Sequence, residues 1–240
     1  MSWYETWFDS SYYHTLYSHR NDEEAAAFVD LLLQKVDIPE GEKVLDLCCG
    51  RGRHAVQIYK KGYDVTGVDL SANNIELASR HACSRLRFIE HDMRQPLEGK
   101  YRLILNLFTS FGYFDTEAEH LHTLQSVRDA LETDGIFVQD FLNVKKAKMG
   151  LIPEEAFEKE GIRFSLFREI QNGSIVKKIS LVDNGCKHSF EERVKAFELA
   201  DFQQMYDKVG LQITDVFGDY QLGDFHALRS DRLILLSRPK

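Results

Sequence analysis

The stretch Val44-Leu45-Asp46-Leu47-Cys48-Cys49-Gly50-Arg51-Gly52-Arg53 decides the fold of this 240-residue chain. Its apolar start predicts a buried strand, Gly50 and Gly52 predict a tight turn, and residues 54–61 predict a helix that ends at Gly62. Glycines at such a turn let a ligand lie against the backbone, and the helix that follows directs its N–H groups at that ligand. The stretch therefore predicts a ligand site at the carboxyl end of a strand.

Four further strands follow this stretch, and helices alternate with them. The predicted strands cover residues 43–47, 64–68, 86–90, 103–108 and 136–141. Helical spacing of apolar residues marks a helix before the first strand, and Thr116 with Glu119 forms a capping box at the start of another. Five strands that alternate with helices predict a parallel sheet covered by helices on both faces.

The pattern changes between residues 143 and 199. Three strand-like runs lie there, near 162–170, 175–182 and 189–197, and the dipeptides Asn172-Gly173 and Asn184-Gly185 join them. Asn-Gly is a strong hairpin signal, so we predict an antiparallel β insertion after strand five.

The alternating pattern returns after the insertion. A helix near residues 202–209 precedes two last strands at 211–217 and 232–237, and no helical pattern separates those two strands. We therefore expect the two to pair antiparallel. The organisation predicted is an aromatic-rich N-terminal segment and helix, an α/β core, the β insertion, and a C-terminal helix and hairpin that complete the core; these cover residues 1–38, 39–142, 143–199 and 200–240.

A second acidic residue sharpens the ligand prediction. Asp69 ends the second strand, nineteen positions after Gly50, where a carboxylate can accept hydrogen bonds from both hydroxyls of a ribose. The pattern therefore favours an adenosine-containing ligand; the alternative is a plain helix-entry turn with a capping aspartate. The dinucleotide fingerprint G-x-G-x-x-G is incomplete, because Ala55 replaces its third glycine.

The quoted stretch resembles motif I of the class I S-adenosylmethionine-dependent methyltransferases. Asp46 matches the acidic residue of that motif, Gly50 and Gly52 match its second and third glycines, and Cys48 stands where the first glycine usually lies. The resemblance implies a Rossmann-like α/β fold with a seven-stranded, mostly parallel sheet. It also implies S-adenosyl-L-methionine as the cofactor.

The resemblance carries over to further positions of the chain. Asp69 matches the ribose-binding acid, and the loop of residues 106–114 is similar to that of N-methyltransferases acting on glycine and amino sugars. A tyrosine-rich leader folds over the cofactor in such relatives, and a guanidinium there can pair with the methionine carboxylate; the alternative is that the aromatic leader simply packs onto the domain. The cofactor-binding residues so implied are Tyr13, Tyr17, Arg20, Asp46, Cys48, Gly50, Gly52, Asp69, Leu70, Asp92, Met93 and Asn106.

The expected activity is transfer of a methyl group to a small molecule, at nitrogen, by in-line displacement in a closed pocket. The expected substrate-binding residues are Phe108, Ser110, Tyr113, Phe225, His226 and Arg229. Alignment and exclusion of water are the main requirements, so no base is obligatory; Tyr113 and His226 are the candidates if one is used. Two alternatives stay open, namely a nicotinamide-dinucleotide oxidoreductase and a non-catalytic module that binds S-adenosylmethionine.

Composition limits the partners. The formal net charge is −8 and Lys and Arg are not clustered, which argues against a nucleic acid. No apolar run is long enough for a membrane span, and the N-terminus lacks the pattern of a signal peptide. The four cysteines form no C-x-x-C pair, so we expect no metal site and a reducing, cytoplasmic location. A monomer and a homodimer are both compatible with the sequence.

Overall fold

The protein contains a seven-stranded main sheet and a separate four-stranded small sheet. The computed structural model describes residues 2–18 and 22–240. The strands are β1 (Lys43–Leu47), β2 (Asp64–Asp69), β3 (Leu86–Glu90), β4 (Tyr101–Asn106), β5 (Leu131–Leu142), β6 (Glu154–Lys159), β7 (Ile162–Gln171), β8 (Ser174–Asp183), β9 (Cys186–Lys195), β10 (Leu211–Phe217) and β11 (Arg232–Pro239). The helices are α1 (Trp3–Phe8), α2 (Ser11–Leu16), α3 (Asp22–Val36), α4 (Arg53–Lys60), α5 (Ala72–Ala78), α6 (Glu117–Ala130), α7 (Val144–Met149) and α8 (Leu199–Val209).

The main sheet has the strand order β10-β11-β5-β4-β1-β2-β3. Strands β1 to β5 pair in parallel, whereas β11 runs antiparallel to both of its neighbours, β5 and β10. This confirms the predicted α/β fold with its terminal antiparallel pair. Because β1 lies between β4 and β2, the loops that follow these three strands meet at one edge of the sheet.

Helices cover both faces of the main sheet. Leu45 and Leu47 of β1 belong to the core under α6 and α8, whereas Val44 belongs to the core under α3 and α4. This alternation follows from the two-residue period of a strand, and it explains why β1 is apolar on both faces. Within the part of the chain that the structure describes, no helix is both long and apolar enough to cross a membrane.

The small sheet has four strands in the order β6-β7-β8-β9, so the prediction of three strands was wrong by one. The missing strand is β6, whose sequence Glu-Glu-Ala-Phe-Glu-Lys is mostly charged and lies at the sheet edge, largely exposed. Polar edge strands lack the alternation that predicts a strand. Both Asn-Gly dipeptides do form the predicted hairpin turns, with φ positive at all four residues, as a type I′ turn requires.

Residues 2–18, called the lid below, pack α1 and α2 against the small sheet. Trp7 is fully buried there with Phe164, Leu166 and Ile179. The Tyr12 hydroxyl donates to Asp183 across the same contact. The aromatic leader therefore packs onto the domain, as the simpler alternative held, but other aromatic residues of the lid face cavities described below.

Candidate active site

The turn after β1 has the backbone shape of a ligand cradle. Cys48, Gly50 and Gly52 have φ values of 65°, 54° and 81°. The left-handed region favours glycine, and a residue with a Cβ there carries about 1–2 kcal/mol of strain. The Cys48 thiol lies 3.5 Å from the Met93 sulfur, a favourable contact between polarizable groups. Cysteine is thus accommodated at the position where the resemblance leads one to expect glycine.

Glycine stands at positions 50 and 52 for different structural reasons. A Cβ at Gly52 would lie 2.7 Å from the Phe88 ring, so this glycine lets α4 approach β3. A Cβ at Gly50 would meet no described atom within 4 Å. The space above Gly50 is open, and it belongs to both cavities described next.

Two cavities lie on either side of this turn. The first cavity has a volume of about 280 Å³ and lies on the side of β2 and β3, where Asp69, Leu70, Asp92 and Met93 line it. The second cavity has a volume of about 400 Å³ and lies on the side of α4, where Asp46, Gly52 and Arg53 line it. Cys48, Gly50, Tyr13, His14 and Ser110 line both, so one elongated ligand can extend along the turn from one cavity to the other.

Two carboxylates hold the turn in place. Asp69 Oδ2 accepts a hydrogen bond of 2.8 Å from the Gly50 N–H, and its Oδ1 accepts one of 2.9 Å from the Ser71 N–H. Burial raises the pKa of Asp69, against the effect of these two N–H donors. Asp46 accepts from the Ala55 N–H at 3.1 Å and so links β1 to the first turn of α4; burial raises the pKa of Asp46 to about 7.

The lid closes over the first cavity and is attached at the start of α5. Asp9 accepts hydrogen bonds from the Ser71 hydroxyl and, at 2.7 Å, from the Asn73 amide. The Asn74 amide donates to the Phe8 carbonyl at 3.3 Å, and His14 Nε2 lies 3.2 Å from Asn74 Oδ1. The residues that hold the lid thus follow directly after the carboxylate that faces the first cavity.

The loop after β4 is held by Asp140 of β5, a fully buried carboxylate. Its Oδ2 accepts from the Phe108 N–H at 2.8 Å, and its Oδ1 accepts from Arg232 Nε at 2.7 Å. Arg232 also donates to the Thr109 hydroxyl at 2.8 Å. Phe108 and Thr109 have φ values of 59° and 61°, a strained pair that these bonds stabilise. The result is a fixed loop that forms one wall of a further cavity.

The third cavity, of about 280 Å³, lies between the lid, this loop and the small sheet. Six of the residues that line it are aromatic: Trp3, Phe8, Tyr13, Tyr17, Phe108 and Tyr113. Tyr13 lines all three cavities, Phe8 and Tyr113 are shared with the first, and Tyr17 and Phe108 with the second. The third cavity therefore lies alongside the space over the turn.

The structure brings most of the predicted residues to these cavities. Tyr13, Tyr17, Asp46, Cys48, Gly50, Gly52, Asp69, Leu70, Asp92, Met93, Phe108, Ser110 and Tyr113 line at least one of the three. Asn106 does not; its amide donates to the Leu47 and Ser110 carbonyls. Phe225, His226 and Arg229 also lie outside the three linings, because their loop folds back on itself through the Ser230 hydroxyl, which accepts from the His226 N–H. Arg20 lies outside the described residues.

Several residues of the site were missed by sequence reasoning. The sequence does contain a signal for Asp140. A charged residue inside the apolar run 136–141 needs a buried partner. Asp9 and His14 of the lid, and Lys177 and Glu192 of the small sheet, carry no such signal. Their partners are distant in sequence, and only the tertiary structure shows them.

Comparisons with known proteins agree with this geometry. A methyltransferase domain model matches residues 44–135. The Bacillus subtilis (strain 168) protein named YqeM is 25% identical over 223 residues, which is 88% of each chain. A glycine/sarcosine N-methyltransferase of Halorhodospira halochloris is 28% identical over 51% of this chain and 48% of its own. A dTDP-3-amino-3,4,6-trideoxy-alpha-D-glucopyranose N,N-dimethyltransferase of Streptomyces venezuelae is 31% identical over 48% of each chain.

Solved structures share the fold across nearly the whole chain. A methyltransferase named CcbJ from Streptomyces caelestis superposes with a TM-score of 0.81 at 16% identity, covering 98% of both chains. An S-adenosylmethionine-dependent methyltransferase from Clostridium acetobutylicum ATCC 824 gives 0.80 at 17% identity, covering 95% of this chain and 96% of its own.

These findings confirm the resemblance stated from motif I and decide against the nicotinamide-dinucleotide alternative. The cofactor is S-adenosylmethionine, and the open space over Gly50 together with the Asp69 carboxylate fits it. Residues 44–135 form a methyltransferase domain, and the chain is similar to S-adenosylmethionine-dependent methyltransferases in sequence and fold.

Proposed function

We propose that this protein methylates a nitrogen atom of a small molecule held in the third cavity. The single observation that carries the proposal is the arrangement of the three cavities around Tyr13. Two of them follow the turn that suits an elongated nucleoside, and the third is a separate aromatic chamber beside it. An acceptor in that chamber would lie next to the middle of the cofactor, where the transferable methyl group is.

In this proposal the first cavity holds the adenosine part. Asp69, Leu70 and Met93 line this cavity. Asp69 would accept hydrogen bonds from the ribose hydroxyls, and Leu70 and Met93 would hold the adenine. Asp92 accepts three hydrogen bonds from the Arg94 guanidinium, at 2.6–3.1 Å, which fix the carboxylate at the cavity wall. The bare backbone of Gly50 lets the ligand pass along the turn.

The second cavity holds the methionine part. Arg51, Arg53 and Lys60 line it, and their positive charge suits the carboxylate at that end of the cofactor. Tyr17 of the lid and the N-terminal turn of α4 line the same space. The backbone N–H groups of that turn are donors by which the methionine end can be held.

The cofactor supplies a methyl group on a positively charged sulfonium when it is bound. The protein residues then have to align the acceptor and exclude water. Tyr113 is poorly suited as a base, because its hydroxyl donates to the Thr109 carbonyl and burial raises the pKa of Tyr113 well above its usual range. His226 is exposed and outside the three linings. We propose that Tyr13 and Tyr113 position an amine that enters unprotonated.

The choice of nitrogen is supported by the relatives named for glycine, sarcosine and an amino sugar. It is also supported by the chamber itself, because aromatic faces bind an alkylated ammonium product well. We further propose a cytoplasmic protein that acts without nucleic acid, as a monomer or homodimer. The four cysteines are free thiols, in keeping with a reducing compartment.

The test is methyl transfer from S-adenosylmethionine carrying a radiolabelled methyl group to matched pairs of small acceptors. Each pair contains an amine and its hydroxyl counterpart, for example glycine with glycolate and an amino sugar with the parent sugar. We expect label in amines only, and much less of it with Asp69→Ala. Transfer to the hydroxyl member of a pair, with the amine inert, would overturn the assignment to nitrogen.

A further inference from the structure

A row of charged side chains crosses the small sheet. Arg168 of β7 lies directly opposite Lys177 of β8, and Lys177 lies directly opposite Glu192 of β9. Neighbouring positions on the same face are apolar and buried, among them Leu166 and Ile179. Charged groups inside an apolar face are costly to bury, so this row needs an explanation.

The row places two cations side by side. Arg168 and Lys177 are only 20% and 18% exposed, and both line the third cavity. Like charges directly opposite one another on a sheet destabilise it. Arg232, 12% exposed, adds a third cation to the same lining from the main sheet.

Each of these cations has a carboxylate partner, but only one of those partners lines the cavity. Lys177 Nζ lies 2.6 Å from Glu192, Arg168 lies 2.7 Å from Glu155, and Arg232 lies 2.7 Å from Asp140. Among the described residues of the lining, three cations therefore face one carboxylate, Glu192.

Glu192 is itself fully engaged. It accepts hydrogen bonds from the Trp7 indole at 2.7 Å and the Tyr17 hydroxyl at 2.9 Å, besides the pair with Lys177. The Glu192 carboxylate therefore stabilises the docked lid and the position of Lys177. The three ion pairs are formally neutral, but the cationic groups line the cavity while the carboxylates of Glu155 and Asp140 lie behind them, so N–H donors are presented to an anionic group in the cavity.

The third cavity is polarised along its length. Its aromatic residues Phe8, Tyr13, Tyr17, Phe108 and Tyr113 are shared with the two cofactor cavities. Arg168, Lys177 and Arg232 line neither of those cavities. One end of the acceptor would thus meet aromatic rings beside the cofactor, and the other end would meet the cations.

An outer cavity of about 330 Å³ continues this path toward the surface. It shares Tyr17, Arg168 and Lys177 with the third cavity, and Lys159 and Glu155 line its outer part. This gives an acceptor a way in along positively charged side chains. Such charges raise the local concentration of anionic ligands.

We propose that the acceptor is an amine that also carries an anionic group, a carboxylate or a phosphate, bound by Arg168, Lys177 and Arg232. The inference rests on the proposed function in one respect, the use of the third cavity as the acceptor site. These three side chains determine specificity: they take the anionic end and leave the amine at the aromatic end.

The test is binding of simple anions to the full chain loaded with S-adenosylhomocysteine, which fills the cofactor site. Acetate represents a carboxylate, phosphate represents a phosphate group, and chloride keeps the ionic strength constant. Tryptophan fluorescence is a suitable signal, because both tryptophans lie in α1 and Trp3 lines the third cavity. We expect saturable binding of acetate or phosphate, and the anion that binds identifies the group.

Arg168→Met should weaken this binding about tenfold, as expected for the loss of one charge-assisted hydrogen bond. Arg168→Lys should restore part of it. Lys178→Met is the matched control: Lys178 lies next to Lys177 on β8, but it faces away, is 52% exposed and pairs with Glu169. It should bind the anion like the unchanged protein.

Saturable binding of neither anion, or equal binding by Arg168→Met and the unchanged protein, would overturn the proposal. S-adenosylhomocysteine affinity, measured by calorimetry in each variant, shows that the cofactor site is intact. The radiolabel experiment above tests transfer to nitrogen independently. An amine that is methylated while no anion binds would therefore refute this inference and leave the proposed function standing.

Discussion

The two walls of the active site differ in how they are built. The cofactor wall consists of short continuous segments at the ends of β1, β2 and β3, and its hydrogen bonds join residues such as Gly50 and Asp69, nineteen positions apart. The acceptor wall joins the lid to the small sheet, and its bond from Trp7 to Glu192 spans 185 positions. The comparison shows that local turn geometry builds the one wall, and tertiary docking builds the other.

Removal of the Trp7 side chain should break the acceptor wall and leave the main sheet folded. Trp7→Ala deletes a fully buried ring and the indole bond to Glu192, and we expect docking of the lid to weaken by about 3–5 kcal/mol. Amide hydrogen exchange should rise in residues 3–16 and stay unchanged in β1 and β4. Trp3→Phe, which keeps an aromatic ring, serves as the control. Equal loss of protection in the main sheet would show that the two walls are one cooperative unit.

Removal of the Asp69 carboxylate should break the cofactor wall. Asp69→Ala loses the acceptor for the ribose hydroxyls and for the Gly50 N–H, so S-adenosylhomocysteine affinity should fall by about 2–3 kcal/mol. Calorimetry measures the change. Asp64→Ala, at the opposite end of β2 and paired with Arg87, should leave the affinity unaltered. An unchanged affinity in Asp69→Ala would show that Asp69 stabilises the turn but does not bind the cofactor.

The same carboxylate predicts a pH dependence of cofactor affinity. The ribose hydroxyls favour the ionised form, whereas burial raises the pKa of Asp69, so affinity is full above that pKa and is lost as the pH falls through it. The loss is at most about tenfold per pH unit. Titration of the S-adenosylhomocysteine dissociation constant from neutral to acid pH tests this. Asp69→Asn should remove the contribution of Asp69 and leave that of Asp46, whose pKa burial raises to about 7.

Cys48→Gly should have the smallest effect and so sharpen the account of the turn. Glycine relieves the positive φ, but it adds freedom to the unfolded chain, and the two effects, each about 1 kcal/mol, largely cancel. Thermal unfolding and S-adenosylhomocysteine affinity should both stay close to those of the unchanged protein. A tenfold gain in affinity would show instead that the thiol intrudes on the cofactor.

The contrast between the walls also explains what the sequence can predict. The main sheet is evident because its strands are apolar and alternate with helices, and Gly50 and Asp69 stand at fixed positions in that pattern. The hairpins of the small sheet follow from Asn-Gly turns. Strand β6 was not predicted because a charged edge strand lacks the alternating apolar pattern that indicates a strand.

Residues whose surroundings depend on tertiary docking could not be placed from the sequence. Asn106 ends β4, where a cofactor ligand is expected, yet its amide donates to two backbone carbonyls. Phe225 and His226 precede the last strand, and nothing in their spacing shows that their loop folds away from the cavities. Arg168 and Lys177 become neighbours only through the register of β7 and β8.

The attachment of the lid beside Asp69 has a kinetic consequence. The lid is fastened to Ser71 and Asn74, directly over the adenosine end of the site, whereas the outer cavity stays accessible from the side of the small sheet. Catalysis should therefore follow a compulsory order. The methyl donor binds before the lid docks, and the acceptor binds second, through the outer cavity. The demethylated nucleoside would then leave last, and its release would be the rate-limiting step of each turnover.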